Sequence, residues 1–254
     1  MQLNYKVFGQ GEPIIILHGL FGMLDNWQTL ARKLAEHYTV FIVDQRNHGR
    51  SPHVDTHDYG SMAEDLRLFM ESQFVLKAHI IGHSMGGKTA MQFASHYPDM
   101  VDRLVIVDIA PKKYPAGHQE IFAALLALDL AKAETRKDVE EQLKTKIPEA
   151  GIRQFLMKNI TRQPDNGFQL RMNLPVIYRD YEKILDSLDI EEAFEGPSLF
   201  VRGGRSKYVA ETDLELIQEY FTEAQLETIE NAGHWVHAEA PKELLASLLT
   251  FLSK

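Results

Sequence analysis

The chain has 254 residues, of which 44% are hydrophobic and 25% charged, and these values exclude wholesale disorder, collagen and small disulfide scaffolds. The formal net charge of −9, from 27 Lys and Arg against 36 Asp and Glu, argues against a nucleic-acid partner because phosphate backbones repel such a chain. Cysteine is absent from the sequence, which excludes disulfides, thiolate nucleophiles and Cys-ligated metal sites.

The sequence shows no feature typical of a membrane or exported protein. Its longest uninterrupted apolar run, Ile121 to Leu128, has 8 residues, whereas a helix that spans a bilayer needs about 20. The amino terminus from Met1 to Pro13 lacks the basic and apolar regions of an export signal. We therefore expect no membrane partner and a cytoplasmic location.

Short apolar runs alternate along the chain with amphipathic stretches, which predicts an α/β fold. Leu3 to Phe8 and the glycine-containing turn after it predict a hairpin with the first core strand, at the edge of the sheet. Continuous hydrophobicity is typical of parallel strands covered by helices on both faces, so we expect a mostly parallel central sheet flanked by helices. The runs assigned to its core strands are Ile14 to Leu17, Val40 to Val43, Ile80 to Ile81, Leu104 to Val107 and Ser198 to Val201.

The segment between Pro111 and Pro197 contains no strand-like run and shows helical patterning instead. Crossover connections in α/β folds are usually much shorter, so we predict that residues 111–196 form a helical cap. The cap would be inserted after the strand that ends at Asp108, with residues 1–110 and 197–254 forming the core. Ordinary crossover helices are the alternative interpretation.

The sequence Gly82-His83-Ser84-Met85-Gly86 lies between a predicted strand and a predicted helix. A G-x-S-x-G pattern in that context is typical of a nucleophile elbow, a turn so tight that the neighbouring residues must lack side chains. We predict that Ser84 is a nucleophile. The N–H of Met85, at the start of the helix, is predicted to stabilise a developing oxyanion. A glycine-rich turn with an idle serine is the alternative.

Two further segments follow predicted strands. The segment from His18 to Gly22 closes the first core strand and so lies at the carboxyl edge of the sheet, where ligands bind in open α/β folds. We predict that the N–H of Leu20 is the second oxyanion donor, with Phe21 as the fallback, and that His18 is structural. His234 follows the last apolar strand on a loop and is predicted to be the general base.

Taken together, five motifs make the chain resemble the α/β-hydrolases, and within them the YbfF-type bacterial esterases and the related mitochondrial abhydrolase-domain proteins. The motifs are HGLFG at 18–22, DQRNHGRS at 44–51, GHSMGGK at 82–88, VDIAP at 107–111 and AGHWVHAEAP at 232–241. The resemblance implies a carboxylesterase that needs no cofactor and acts on short-to-medium acyl esters through an acyl-enzyme, with acyl-CoA thioesters as a further substrate class.

A catalytic triad needs an acid beside the nucleophile Ser84 and the base His234. The position of that acid departs from the commonest pattern of this family. Most relatives have an Asp after the strand that follows the cap, whereas this chain has Ser206. We predict that Asp108 takes the role, because an acid one strand along, about 4.8 Å away, still reaches the same histidine. Asp213 and Glu211 are held in reserve.

The apolar residues near the predicted site favour an acyl chain over a sugar or peptide, and we predict that Phe21 and Trp235 contact the substrate. No histidine pair has the spacing of a metal site, so we expect no metal. The expected partner is a small-molecule ester or thioester. The alternatives are a different α/β-hydrolase reaction, such as lactone or carbon–carbon bond hydrolysis or perhydrolysis, and a small-molecule binding module without turnover.

Overall fold

A computed structural model of the chain describes residues 1–163 and 167–253. Residues 164–166 of the predicted cap and residue 254 of the predicted core lie outside the described residues. The strands are β1 Tyr5–Phe8, β2 Pro13–Leu17, β3 Thr39–Val43, β4 Ala78–His83, β5 Val101–Val107, β6 Ile160–Arg162, β7 Phe168–Leu170, β8 Ser198–Gly203 and β9 Ala224–Ile229. The helices are α1 Gln28–Leu34, α2 Tyr59–Ser72, α3 Met85–His96, α4 Gln119–Leu126, α5 Arg136–Lys144, α6 Ala150–Met157, α7 Leu174–Arg179, α8 Tyr181–Leu185, α9 Asp213–Tyr220, α10 Val236–Glu239 and α11 Pro241–Leu252.

Seven of these strands form one sheet in the order β1-β3-β2-β4-β5-β8-β9. All neighbouring pairs are parallel except β1 with β3. Because β2 is hydrogen-bonded to β3 on one side and to β4 on the other, it has no free edge for β1. The predicted hairpin between β1 and β2 is therefore wrong, and β1 pairs antiparallel with β3, where Tyr5 lies opposite Val43.

Helices cover both faces of the sheet, which explains the continuous hydrophobicity of its strands. Ile14 and Ile16 of β2 point to the face covered by α1 and α11, and both are buried with Leu34 and Leu248 of those helices. Ile15, Leu17 and their neighbours point to the opposite face, which α2 and α3 cover. The carboxyl ends of the parallel strands consequently meet at one edge, between the two helical layers.

Between β5 and β8 the chain passes through α4 to α8 and a two-stranded antiparallel sheet of β6 and β7. The expectation of no strand in this segment was wrong, because two strands of three residues are too short to produce an apolar run. Buried side chains of this segment, including Phe122 and Ile177, belong to the same hydrophobic cluster as those of α2 and α3. In the part of the chain that the structure describes, no helix has both the length and the apolar character needed to cross a bilayer.

Candidate active site

Ser84 lies in a sharp turn between β4 and α3, with backbone angles φ 51° and ψ −119°. Two glycines permit this turn. A Cβ on Gly82 would lie 2.2 Å from the carbonyl oxygen of Gly86, and a Cβ on Gly86 would lie 2.4 Å from that of Leu17. Any larger residue at either position would force the backbone apart, so the sequence G-x-S-x-G dictates the local conformation that presents Ser84 at the edge of the sheet.

The structure brings Ser84, His234 and Asp108 together in one line of hydrogen-bonding groups. His234 Nε2 lies 3.1 Å from Ser84 Oγ, and His234 Nδ1 lies 2.7 Å from Asp108 Oδ2. Asp108 directly follows β5 and is 0% exposed. The arrangement can move a proton from the serine to the imidazole while the buried carboxylate stabilises the imidazolium.

The Asp108 carboxylate is held by two more donors. The N–H of Gly203 donates to Oδ1 at 2.9 Å, and the hydroxyl of Ser206 donates to Oδ2. Asp108 itself has φ 53°, a left-handed conformation that Asp tolerates better than most residues. Ser206 stands at the chain position where most relatives are expected to carry the acid. From there its hydroxyl contacts the Asp108 carboxylate.

The reserve acids are engaged elsewhere. Asp213 accepts a hydrogen bond of 2.6 Å from Lys112 and another of 2.8 Å from the N–H of Ala210. Glu211 is paired with Arg202 at 2.6 Å on the surface. Neither carboxylate is a hydrogen-bond partner of the His234 ring in the described residues.

The residues predicted to carry the oxyanion donors, Leu20 and Met85, both line a cavity beside Ser84. Among the described residues, the backbone N–H groups of Leu20 and Met85 have no hydrogen-bond acceptor. The N–H of Phe21 lies 3.3 Å from His48 Nε2, which makes Phe21 less available than Leu20. A Cβ on Gly19 would lie 3.2 Å from Ser84 Cβ, so the loop that carries Leu20 passes directly beside the serine.

Two histidines near the site are neutral and structural. Burial lowers the pKa of His18 to about 4, and its Nε2 accepts the N–H of Gln45 at 3.1 Å, as expected for a structural residue. Burial also lowers the pKa of His83 well below its ordinary value. The Nε2 of His83 lies 2.8 Å from the backbone oxygen of His234, so this neutral ring supports the loop of the predicted base.

Sequence reasoning missed three residues of the site. His83 was assigned no role in the site, although its place within the G-x-S-x-G turn is a signal that could have indicated one. His118 contacts Tyr181 Oη through Nδ1 at 2.6 Å, and the ring of Tyr208 stacks on His234. Neither His118 nor Tyr208 belongs to a motif that would have indicated this placement.

Two cavities open next to Ser84, with volumes of about 190 and 230 Å³. Ser84, Leu20, His118 and Tyr208 line both of them. The first cavity is further lined by Phe21, Trp27, Phe155, His234 and Trp235. The second cavity is further lined by Tyr59, Met85, Tyr114, Tyr181 and Ile184. Phe21 and Trp235, the predicted substrate contacts, thus both lie at the first cavity.

Across residues 1–163 and 167–253, no three His, Cys, Asp or Glu side chains are grouped to hold a metal ion.

Comparison with known proteins gives matches over nearly the whole chain. A family described as alpha/beta hydrolase fold matches residues 12–241. The chain is 38% identical to the sn-1-specific diacylglycerol lipase ABHD11 of Mus musculus, over 94% of this chain and 80% of that protein. It is 40% identical to Esterase YbfF of Escherichia coli strain K12, over 95% of this chain and 93% of that protein. A solved structure of a marine microorganism esterase is 44% identical, with a TM-score of 0.96 over 98% of this chain and 99% of that one.

Proposed function

The chain belongs to the α/β-hydrolase family and is an ester hydrolase, and we propose that it is a serine carboxylesterase that works through an acyl-enzyme. The observation that carries this proposal is the alignment of Ser84, His234 and Asp108 at 3.1 and 2.7 Å. These distances lie within the hydrogen-bond reach that proton transfer between a nucleophile and its base requires.

In the first half of the reaction, Ser84 Oγ attacks the acyl carbonyl carbon while His234 Nε2 takes the hydroxyl proton. The tetrahedral intermediate collapses when the bond from carbon to the leaving-group oxygen breaks and His234 gives that oxygen the proton. In the second half, a water molecule attacks the acyl-enzyme, His234 takes its proton, and the proton returns to Ser84 as the acid leaves. Asp108 stays ionised throughout and stabilises the imidazolium.

The oxyanion of each tetrahedral intermediate is assigned to the N–H groups of Leu20 and Met85. Both lack an acceptor in the described residues, and Met85 begins α3, where the helix dipole favours negative charge. Removing one donor of this kind costs about 3 to 4 kcal/mol of transition-state stabilisation.

The two cavities bind different parts of the substrate. His234 must reach the leaving-group oxygen to protonate it, so the leaving group belongs in the first cavity, which His234 lines. The acyl chain then extends into the second cavity, where Tyr59 and Ile184 provide an apolar wall. Helices α4 and α6 contribute Ile121 and Phe155 to the first cavity, and α8 contributes Ile184 to the second, which supports residues 111–196 as a cap that selects the substrate.

The names of the similar proteins, a lipase and esterases, favour an oxygen ester over an acyl-CoA thioester. Near the strand ends Lys112 is paired with Asp213 at 2.6 Å and Arg202 with Glu211 at 2.6 Å, whereas Lys207 at the second cavity has no ion pair in the described residues and could meet a CoA phosphate. We therefore propose a small-molecule ester of a short-to-medium acid as the substrate, hydrolysed without a cofactor. The cytoplasmic location stays a prediction from the sequence.

The test compares hydrolysis of p-nitrophenyl butyrate and butyryl-CoA by the wild type and by Ser84→Ala. We expect the wild type to prefer the oxygen ester and Ser84→Ala to lose the activity. Ser72→Ala, at the end of α2, is the matched control and should keep wild-type rates. Hydrolysis of neither compound by the wild type would favour another reaction of this fold, such as lactone hydrolysis, or a binding module.

A further inference from the structure

One short segment after β8 contacts both the predicted acid and the predicted base. The hydroxyl of Ser206 donates to Asp108 Oδ2, the oxygen that also pairs with His234 Nδ1. The ring of Tyr208, two residues later, stacks on the imidazole of His234 with centroids 3.8 Å apart and planes 14° apart. Neither residue belongs to the three that carry the proposed reaction.

The Ser206 hydroxyl is held in place for its contact. Its oxygen accepts the N–H of Tyr208 at 3.2 Å, and the N–H of Ser206 donates to the carbonyl of Gly203 at 3.0 Å. The hydroxyl hydrogen is therefore free to point at Asp108. A hydrogen bond to an ionised carboxylate disperses its charge, so Ser206 weakens the attraction between Asp108 and a protonated His234.

The Tyr208 ring acts in the opposite direction. An aromatic face attracts a cation that lies against it, so the stacked ring favours the imidazolium form of His234. The Tyr208 backbone is held by the Tyr114 hydroxyl, which donates to its carbonyl at 2.8 Å, and the Tyr208 ring packs against the Tyr114 ring with centroids 5.4 Å apart. Burial raises the pKa of Tyr208 to about 12, and its hydroxyl is therefore neutral over the range in which the esterase would work.

Three other histidines lie around His234 and stay neutral in that range: His83, His118 and His237. The carboxylate of Asp108 also faces the His234 ring. Burial lowers the pKa of His118 to about 4 and that of His237 to about 3, and it lowers the pKa of His83 well below its ordinary value. These three histidines therefore contribute no change of charge near pH 6 to 8.

We propose that Ser206 and Tyr208 are positioning residues that set the basicity of His234 in opposite directions, Ser206 lowering it through Asp108 and Tyr208 raising it through the stacked ring. The inference rests on the proposed function for its consequence in catalysis. The expected consequence is that the two side chains fix the lower pH limit of ester hydrolysis.

The first measurement is the pH profile of kcat/KM for p-nitrophenyl butyrate between pH 5 and 9. Ser206→Ala should move the acidic limb to higher pH, and Tyr208→Leu should move it to lower pH, each by about half a pH unit to one unit. Ser206→Thr keeps a hydroxyl and Tyr208→Phe keeps a ring, so both should retain the wild-type limb. Limbs that stay in place, or that move in the same direction in Ser206→Ala and Tyr208→Leu, would overturn the proposal.

A second measurement needs no turnover. The Cε1 proton of His234 is titrated by NMR in Ser84→Ala and in the two double variants that add Ser206→Ala or Tyr208→Leu. We expect the same opposite displacements, and equal titrations in all three proteins would refute the inference. If Ser84→Ala still hydrolyses esters, the proposed function fails instead, while the NMR titrations continue to decide the role of Ser206 and Tyr208.

Discussion

The ammonium group of Lys88 donates a hydrogen bond of 2.5 Å to the backbone carbonyl of Asp186. Lys88 lies in α3, the helix that begins directly after Ser84, and Asp186 directly follows α8. Lys88 is 1% exposed, and its Nζ lies 5.6 Å from the ring centre of Tyr59 and 5.1 Å from that of Tyr114. Burial lowers the pKa of Lys88 to about 8. One buried cation thus links the helix of the nucleophile to the predicted cap.

Replacing Lys88 by Met should loosen that link. The Asp186 carbonyl would lose its donor, which costs about 1 to 3 kcal/mol of unfolding free energy, and KM should rise because the wall of the second cavity is less well fixed. Thermal unfolding and Michaelis profiles check both effects. Lys33→Met, at a side chain that is 62% exposed, is the control. Unchanged melting temperature and KM in Lys88→Met would show that the link has no role.

Replacing Asp108 by Asn should reduce kcat by about three to four decades with the fold intact, because the imidazolium loses its counter-charge. Asn tolerates the left-handed conformation of this residue, which keeps the backbone in place. Asp213→Asn removes the reserve acid and should leave kcat within a few fold of the wild type. A large loss in Asp213→Asn together with a normal rate in Asp108→Asn would reverse the assignment.

The sequence predicted those parts of the site that depend on local geometry. The turn around Ser84 follows from the glycines beside it, and the place of Asp108 follows from the rule that such acids stand at strand ends. The contacts of Ser206 and Tyr208 with Asp108 and His234 could not be predicted in the same way. They depend on how side chains from distant strands are oriented, and no spacing along the chain encodes that orientation.

Sequence patterns likewise predicted only part of the fold. The continuous apolar runs of β2 to β5 and β8 predicted a parallel sheet, since strands buried on both faces have that pattern. The partner of β1 depends instead on which edge of the sheet is free, and β3 has the free edge. Strands β6 and β7 have three residues each, too few for a periodicity to be recognised.

Three buried histidines should make the fold sensitive to acid. Burial lowers the pKa of His18 to about 4 and those of His48 and His57 to about 3, whereas an unfolded histidine titrates near 6.5. The unfolded chain therefore binds more protons below pH 6.5, so the contribution to stability is complete above that pH and decreases as the pH falls toward 4. Each histidine contributes on the order of 2 to 3 kcal/mol over this window. Urea unfolding at pH 7 and pH 4.5 measures the loss.

Substitution of His57 tests this acid sensitivity of the fold most clearly. Both of its ring nitrogens are buried without a hydrogen-bond partner in the described residues, so His57→Leu removes a group that must stay neutral and breaks no ring hydrogen bond described here. We expect a smaller difference in unfolding free energy between the two pH values. His37→Leu, at an exposed position, should keep the full difference. Equal pH dependence in His57→Leu and the wild type would contradict this explanation.

Narrowing the second cavity should shorten the preferred acyl chain. Ile184 lies in α8 and lines that cavity, and Ile184→Phe adds volume where the acyl chain is expected. The ratio of kcat/KM for p-nitrophenyl hexanoate to that for the acetate should fall at least several fold. Ile121→Phe, in the first cavity, is the matched control and should leave the ratio near its wild-type value. The reverse result would exchange the two assignments.

Covalent labelling decides whether His234 activates Ser84. A fluorophosphonate modifies only an activated serine, so the wild type should gain one adduct in intact-mass spectrometry, located by peptide mapping at Ser84. Ser84→Ala should gain none, and His234→Ala should react at least a hundred times more slowly. An unmodified wild type, or an adduct on another serine that persists in Ser84→Ala, would contradict the activation of Ser84 by His234.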